Sequence, residues 1–182
     1  MKKMIALLLA VLLMVPAFAM AASVDVAALS DAELAELAEK IAVEQRDRLK
    51  ANTQYLVSGN LGVHFIGIKS VEMVKDIMGN DALNITINYY HDDPANTYMP
   101  VIAYGEEVTQ DDQPMERTYV VGDDRANNSD AMRSLKVGEM VELSSAYALK
   151  DATKPVVVTY RQPGIFVGPV EDEQLITYTW QP

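Results

Sequence analysis

From about residue 61 onwards, apolar and polar residues alternate along the chain, and this period of two constrains the fold more than any other feature. In ALNITINYY, residues 82–90, four inward side chains (Leu83, Ile85, Ile87 and Tyr89) alternate with polar ones. This predicts a strand with one buried and one solvent-facing side. Further strands are predicted at HFIGIKSV, RTYVVGD, VELSSAYAL, PVVVTYR and QLITYTW, with turn signals between them. The inward residues are Val141, Leu143, Tyr147 and Leu149 in VELSSAYAL, and Val156, Val158 and Tyr160 in PVVVTYR. Such a series indicates a mainly β fold, an antiparallel β-sandwich, in which only VEMVKDIM has a possible helical pattern.

An amphipathic helix is predicted near the N-terminus, in LSDAELAELAEKIAVEQRDRLK, residues 29–50. Ser30 can cap the helix while Glu33 reaches back to it, which is a capping box. The apolar stripe of this helix is narrow, because it consists of a few Leu and Ile side chains with alanines. Two interpretations stay open: the helix docks on the following domain or stays partly detached, or it binds a partner or a second copy of the chain.

The first residues, MKKMIALLLAVLLMVPAFAMAAS, have the pattern of a secretory signal peptide. Lys2 and Lys3 precede a short apolar run, Pro16 interrupts it, and two A-x-A cleavage sites follow. The run of about 12 apolar residues is shorter than the ~20 that cross a bilayer. We therefore expect a signal peptide in residues 1–21, secretion to the cell envelope or the exterior, and no transmembrane anchor after cleavage.

The expected organisation is a signal peptide (1–21), an N-terminal helix (22–50), a linker without periodicity (51–60) and a sandwich (61–182). The chain has no cysteine, so disulfides cannot stabilise the sandwich although an exported setting would permit them. Its hydrophobic core must therefore hold the fold alone.

The chain is strongly acidic, with 15 Lys and Arg against 26 Asp and Glu and a net charge of −11. Removing Lys2 and Lys3 with the signal peptide leaves 13 against 26, that is −13. Nucleic acids and anionic lipids are bound by clustered cations, so neither is an expected partner. We expect the partner to be an unknown protein or glycan, and a protein partner to be basic.

A resemblance to a known family rests on LKVGEMVELSSAYALKDATKPVVVTY, residues 135–160. This run has a lysine and a glycine at a turn, a strand ending in Tyr-x-Leu, and Asp-x-Thr-x-Pro-Val opening the next strand. The matching residues are Lys136, Gly138, Tyr147, Leu149, Asp151, Thr153, Pro155 and Val156. Upstream, VKDIMGNDALNITINYY and VIAYGEEV are similar to the earlier strands.

Over about residues 61–160, the chain thus resembles a family of small secreted bacterial domains of unknown function. That family has an immunoglobulin-like fold and is related to the immunoprotective extracellular antigen superfamily. The resemblance implies an immunoglobulin-like sandwich and brings no catalytic residue with it.

Two polar segments could in principle hold a metal ion. Around the HDDP turn, ligands are offered by His91, Asp92, Asp93 and Asn96. Neighbouring side chains on an extended chain diverge, however, and Asp and Pro are common in turns. In the acidic loop that begins at Asp124, an alanine and a serine stand where a calcium loop needs a ligand and a glycine, and Leu135 stands where a bidentate glutamate should be. A turn and a solvated loop are the preferred interpretations, and no metal or cofactor is expected.

Two acidic doublets are the candidates for carboxylate chemistry and for a partner surface: Glu106, Glu107, Asp111 and Asp112. They lie in YGEEVTQDDQPMER, which we interpret as loop-forming, so we expect all four to be surface charges. No nucleophile motif, phosphate-binding loop or dinucleotide-binding pattern is present.

The expected function is therefore a secreted or envelope-associated binding module without catalysis. The alternatives are a carboxylate-dependent hydrolase acting on envelope glycan or peptide and a structural stalk domain.

Overall fold

The computed structural model of the chain describes residues 25–120, 130–162 and 174–182. Its internal contacts divide the chain after Leu34. In the first unit, Met1–Leu34, the described residues form a turn and the start of a helix. The second unit, Ala35–Pro182, contains the rest of that helix and the described strands.

Helix α1 spans Asp31–Asn52 and begins where the capping box predicts. The Ser30 amide donates to Glu33 Oε2 (2.8 Å), and the Glu33 amide donates to Ser30 Oγ (3.3 Å). Two of the four orphan amides of the first turn are thereby satisfied, and the predicted helix start is confirmed. Among the described residues, no helix has both the length and the apolar character that a membrane crossing requires.

The strands form two antiparallel sheets. The strands are β1 Val57–Leu61, β2 His64–Lys75, β3 Asp81–His91, β4 Gly105–Gln110, β5 Gln113–Pro114, β6 Arg117–Thr118, β7 Val141–Ala148, β8 Val156–Arg161 and β9 Leu175–Trp180. The first sheet has the order β1-β2-β3-β7-β6 and the second the order β5-β4-β8-β9. A short helix, α2 (Pro100–Ala103), and a 3₁₀ helix (Asp130–Met132) lie between strands. The mainly β fold, a β-sandwich with an N-terminal helix, is thus confirmed.

Three segments differ from the sequence-based expectation. VEMVKDIM is not helical, since β2 continues through it to Lys75 in register with β3. Residues 51–60, which the sequence marks as a linker, contain the end of α1 and most of β1. GEEVTQ, interpreted as part of a loop, is strand β4 and pairs with β8. In all three segments, backbone pairing with another strand decides the strand conformation, and the local residue pattern does not show this pairing.

The core lies between the two sheets, where the predicted inward residues of β3, β7 and β8 are buried. Strand β3, however, is buried on both faces, so the expected solvent-facing side is wrong. Its outer face is covered by residues of α1 and of the segment that follows. Lys50 Nζ donates to Tyr90 Oη (2.7 Å), and Asn88 Nδ2 donates to Tyr55 Oη (3.0 Å). The C-terminal half of α1 therefore docks on the first sheet, as one of the two interpretations expected.

Two glycines permit this docking. At Gly67 a Cβ atom would lie only 2.4 Å from the Tyr55 ring, so the ring can lie on the strand only because no side chain is present. At Gly138, φ is +86°, and a Cβ would lie 2.8 Å from Ala42 Cβ and 2.9 Å from Val43 N in α1. The helix can therefore approach this turn only where the residue is glycine.

Candidate functional site

The structure separates the four acidic candidates. Asp111 and Asp112 both have positive φ (53° and 59°) and link β4 to β5 where Gln110 pairs with Gln113. Positive φ at both central residues is the geometry of a type I′ hairpin turn. Both aspartates are exposed, and Asp111 pairs with Lys154 at 2.6 Å. The interpretation as solvated turn residues is confirmed for this doublet.

Glu106 and Glu107 lie on opposite faces of β4, since side chains alternate along a strand. Glu107 is 48% exposed and lies 3.7 Å from Arg161. Glu106 points between the sheets, and its side chain is only 6% exposed. The expectation that Glu106 is a surface charge is therefore wrong, and the cause is the unrecognised strand β4.

The buried Glu106 carboxylate accepts four hydrogen bonds. Oε1 accepts from Ser145 Oγ and from Tyr160 Oη, both at 2.7 Å. Oε2 accepts from Tyr147 Oη at 2.8 Å and from an Arg117 guanidinium nitrogen at 2.6 Å. An unpaired carboxylate between two sheets would be very unfavourable, and these donors remove that penalty.

Two cross-strand pairs, one from each sheet, bring these groups together. In the second sheet Glu106 lies directly opposite Tyr160, in the β4–β8 ladder. In the first sheet Arg117 lies directly opposite Tyr147, in the β6–β7 ladder. Ser145 is two residues before Tyr147 and therefore on the same face of β7. The cluster is thus a polar bridge between the two sheets.

A partly open cavity of about 210 Å³ lies beside this bridge. Its lining combines apolar and polar side chains, namely Ile87, Val101, Tyr104, Glu106, Arg117, Ala131, Leu143, Ser144 and Ser145. Glu106 is the only acidic residue among them. Ligand pockets commonly combine an apolar wall with a few oriented polar groups in this way.

The tyrosines of the cluster remain protonated at neutral pH. Burial raises the pKa of Tyr147 well above its usual value, and the charge of Glu106 raises it further. The same two causes raise the pKa of Tyr160 and of Tyr104. Tyr147 and Tyr160 therefore act as donors to Glu106. The Tyr104 hydroxyl has no hydrogen-bond partner among the described residues and lines the cavity, so a bound group could pair with it.

The HDDP segment forms a turn whose polar atoms bond to one another and to the backbone. His91 is fully buried; its Nδ1 accepts from the Asp93 amide (3.3 Å), so Nε2 carries the hydrogen and donates to the Leu135 carbonyl (3.0 Å). Asp92 pairs with Arg46 of α1 at 2.7 Å. These contacts support the turn interpretation and leave His91 no ring nitrogen for a metal.

Asp93 makes the stability of this turn depend on pH. Hydrogen bonds from Asn96, Tyr98 and the Ala95 amide lower its pKa from 3.8 to about 2. A carboxyl group with a lowered folded-state pKa stabilises the fold above its unfolded pKa, and this contribution is lost as the pH falls from about 4 to about 2. We expect Asp93→Asn to flatten the loss of stability between pH 5 and pH 2, measured as urea midpoints. An acid slope equal to that of the wild type would contradict this.

Other metal-site alternatives have little support. Within residues 25–120, 130–162 and 174–182, no three His, Asp or Glu side chains lie close enough to share an ion. Of the acidic loop considered for calcium, Asp124 to Ser129 lie outside the described residues. Asp130 begins the 3₁₀ helix, and Leu135 is fully buried.

Sequence reasoning missed the partners of Glu106, although one signal was present. Tyr147 and Tyr160 were placed on the inward faces of predicted strands, and a buried phenol usually requires a hydrogen-bond partner. Nothing local identifies that partner, because Tyr160 is 54 residues and Tyr147 is 41 residues from Glu106.

Comparison with known proteins gives a family but no activity. No curated protein matches the chain. Among solved structures, the crystal structure of the yjhA protein from Bacillus subtilis is similar, with 13% identity and a TM-score of 0.47 over 68% of this chain and 96% of that one. A likeness this distant carries no argument about function. A model of the family described as "Domain of unknown function (DUF5067)" matches residues 36–162. Because this match covers more than two thirds of the 182 residues and includes α1 from residue 36 to its end, the polar bridge and the cavity, the chain belongs to the DUF5067 family.

Proposed function

We propose that this domain is an exported binding module that takes up a small chemical group in the cavity beside Glu106, and that it is not an enzyme. One observation carries the proposal: Glu106, the one carboxylate among the described residues that line the cavity, already accepts four hydrogen bonds. A general base or nucleophile needs a lone pair directed at its substrate. A saturated carboxylate instead gives the cavity a fixed shape and charge.

The hydrolase alternative has less support. Glycoside hydrolysis commonly uses two carboxyl groups about 5–9.5 Å apart, on either side of the bond that is broken. Glu107 points away from Glu106, and Asp111 and Asp112 occupy a hairpin turn. Within the part of the chain that the structure describes, the residues lining the cavity include no second acid.

A pair of neighbouring substitutions on α2 tests the binding proposal. Val101 lines the cavity and is half-exposed, whereas Ile102 is equally exposed and does not line it. We expect Val101→Trp to cover the mouth of the cavity while Ile102→Trp leaves it open. An NMR screen of small ligands and dipeptides should give binders of the wild type that Val101→Trp loses and Ile102→Trp keeps. The proposal would be contradicted if no ligand bound the cavity in the wild type or in a folded Arg117→Ala variant. Hydrolysis of a glycan or peptide panel that Glu106→Gln abolishes would also contradict it.

Export is the second part of the proposal, and the signal-like N-terminus supports it. We expect the mature protein to begin at or near Met20 or Ala22, because both follow an A-x-A site beyond Pro16. Intact-mass measurement of protein from the producing cells would check this. A mature chain that still carries Lys2 and Lys3 would contradict it.

We also propose that the domain is related to the immunoglobulin-like antigen domains. The two antiparallel sheets and the sequence resemblance support this relation. A basic protein partner is proposed on the net charge. Glu107, Asp111 and Asp112 remain exposed and contribute to the negative field that would attract such a partner. The Glu106 side chain is only 6% exposed and does not belong to that surface.

A further inference from the structure

Arg117, which lines the cavity, is unusually exposed for the partner of a buried carboxylate. Its side chain is 61% exposed although it pairs at 2.6 Å with Glu106, which is 6% exposed. The guanidinium carbon lies 5.6 Å from the centre of the Tyr147 ring. Arg117 belongs to β6, a strand of two residues at the edge of the first sheet. A cation from the surface thus reaches inward to a carboxylate beside an aromatic ring.

The position of the carboxylate does not depend on this arginine. Three of the four hydrogen bonds to Glu106 come from hydroxyl groups on two core strands, β7 and β8. If Arg117 turned out to solvent, Ser145, Tyr147 and Tyr160 would still hold Glu106. One acceptor position on Oε2 would then face the cavity beside Tyr104. A buried carboxylate flanked by aromatic rings attracts a cation both by charge and by cation–π interaction.

We propose that this cavity recognises the guanidinium group of an arginine side chain on a partner protein, and that Arg117 occupies the same position in the absence of that partner. The inference rests on the proposed binding function and names its ligand. The incoming guanidinium takes the place of Arg117 on Oε2, and Arg117 moves into solvent. No covalent bond is formed or broken.

Size and charge agree with this ligand. The cavity volume of about 210 Å³ is below the ~300–1,000 Å³ of pockets for drug-sized molecules, so it suits the end of one side chain. Ile87, Val101, Ala131 and Leu143 provide an apolar wall for its methylene groups. The negative net charge of the chain favours the approach of a basic partner.

The internal arginine should make the intact site weak for isolated ligands. A group tethered by a short segment has an effective concentration in the millimolar range or above. A free arginine compound must compete with that concentration, whereas a partner protein adds contacts outside the cavity. Removing Arg117 removes the competitor and should strengthen binding of the free compound at least about tenfold.

The probe is N-acetyl-arginine amide, and its matched control is N-acetyl-citrulline amide, which has nearly the same shape without the charge. We expect NMR titration of Arg117→Ala to give at least about tenfold tighter binding of the arginine probe than the wild type shows. The citrulline compound should show no such gain. Arg161→Ala is the matched protein control, because it removes an exposed arginine that lies 3.7 Å from the outward-facing Glu107, and it should bind like the wild type.

Two further variants separate the possible outcomes. Adding Glu106→Gln to Arg117→Ala should abolish the gain, provided that circular dichroism and a cooperative melt show a folded protein. If Arg117→Ala is folded and binds both compounds equally, or neither, the guanidinium proposal is overturned. A neutral ligand that binds the wild type and is lost in Val101→Trp would overturn this inference and still support the binding function. If nothing binds the cavity of any folded variant, both are overturned.

Discussion

Replacing Glu106 by alanine will lower the free energy of unfolding by about 3–5 kcal/mol, one of the two largest effects that we expect from a single substitution in this chain. The change removes the common acceptor of Ser145, Tyr147, Tyr160 and Arg117. Two buried phenols and one hydroxyl then lose their partner between the sheets. Each unsatisfied buried donor costs about 1–3 kcal/mol. The summed cost of the three donors is therefore several times the usual effect of a surface substitution.

Glu107→Ala is the matched control for this prediction. It removes the same side chain from the next position of the same strand, where the carboxylate is half-exposed and 3.7 Å from its cation. Exposed ion pairs contribute about 0–1 kcal/mol, so Glu107→Ala should change stability by no more than that. Urea unfolding at neutral pH measures both variants. A loss of less than about 1 kcal/mol for Glu106→Ala would contradict the description of Glu106 as the acceptor that joins the sheets.

Gly138→Ala will destabilise the domain by about 3 kcal/mol or more, because it combines backbone strain with a steric clash. The positive φ costs a residue with a side chain about 1–2 kcal/mol. In addition, the new Cβ would lie 2.8 Å from Ala42 Cβ and 2.9 Å from the Val43 backbone nitrogen. Backbone atoms in the middle of a helix cannot move aside locally, so the helix must shift away from the turn. We therefore also expect faster proteolysis within α1.

Gly79→Ala separates the two causes. Gly79 has nearly the same φ, +82°, but a Cβ there would meet nothing within 4 Å. It should therefore show only the conformational cost of about 1–2 kcal/mol. Thermal or urea unfolding of both variants measures the difference, which is the contribution of the contact with α1. Equal losses would mean that α1 does not constrain the residue at position 138.

Local patterns predicted those parts of the fold that depend on local interactions. The capping box located the start of α1 within a residue, and period-two alternation located β3, β7, β8 and β9. The outer face of β3 was predicted to be solvent-facing because its residues are polar. Its burial follows from Tyr55 and Lys50, which reach it from outside the sheet. The polarity of residues along a strand does not show which other segments of the chain bury that strand.

The candidate site was only half predictable for a related reason. Glu106 was singled out, but as a surface charge, because an acidic doublet between predicted strands usually lies in a solvated turn. Val108 lies directly opposite Val158, and this pairing, not the local composition, makes GEEVTQ a strand. The hairpin aspartates were interpreted correctly because turn preferences are local. A site that depends on pairing between distant strands cannot be predicted from a single sequence by local patterns.

The polar bridge at Glu106 also bears on how the chain reaches its fold. A shift of one residue in the β4–β8 ladder would turn Tyr160 to the opposite face, and the same shift in the β6–β7 ladder would turn Tyr147. In either case Glu106 would lose one hydrogen-bond donor between the sheets. A compact but misaligned intermediate would therefore retain a poorly solvated charge. Misalignment of apolar side chains alone would cost much less free energy. Because both ladders close long loops, we expect them to form after the local hairpins. Correct alignment of the two sheets should therefore depend in part on Glu106, because this acidic side chain discriminates against misaligned packings that hydrophobic contacts alone would tolerate.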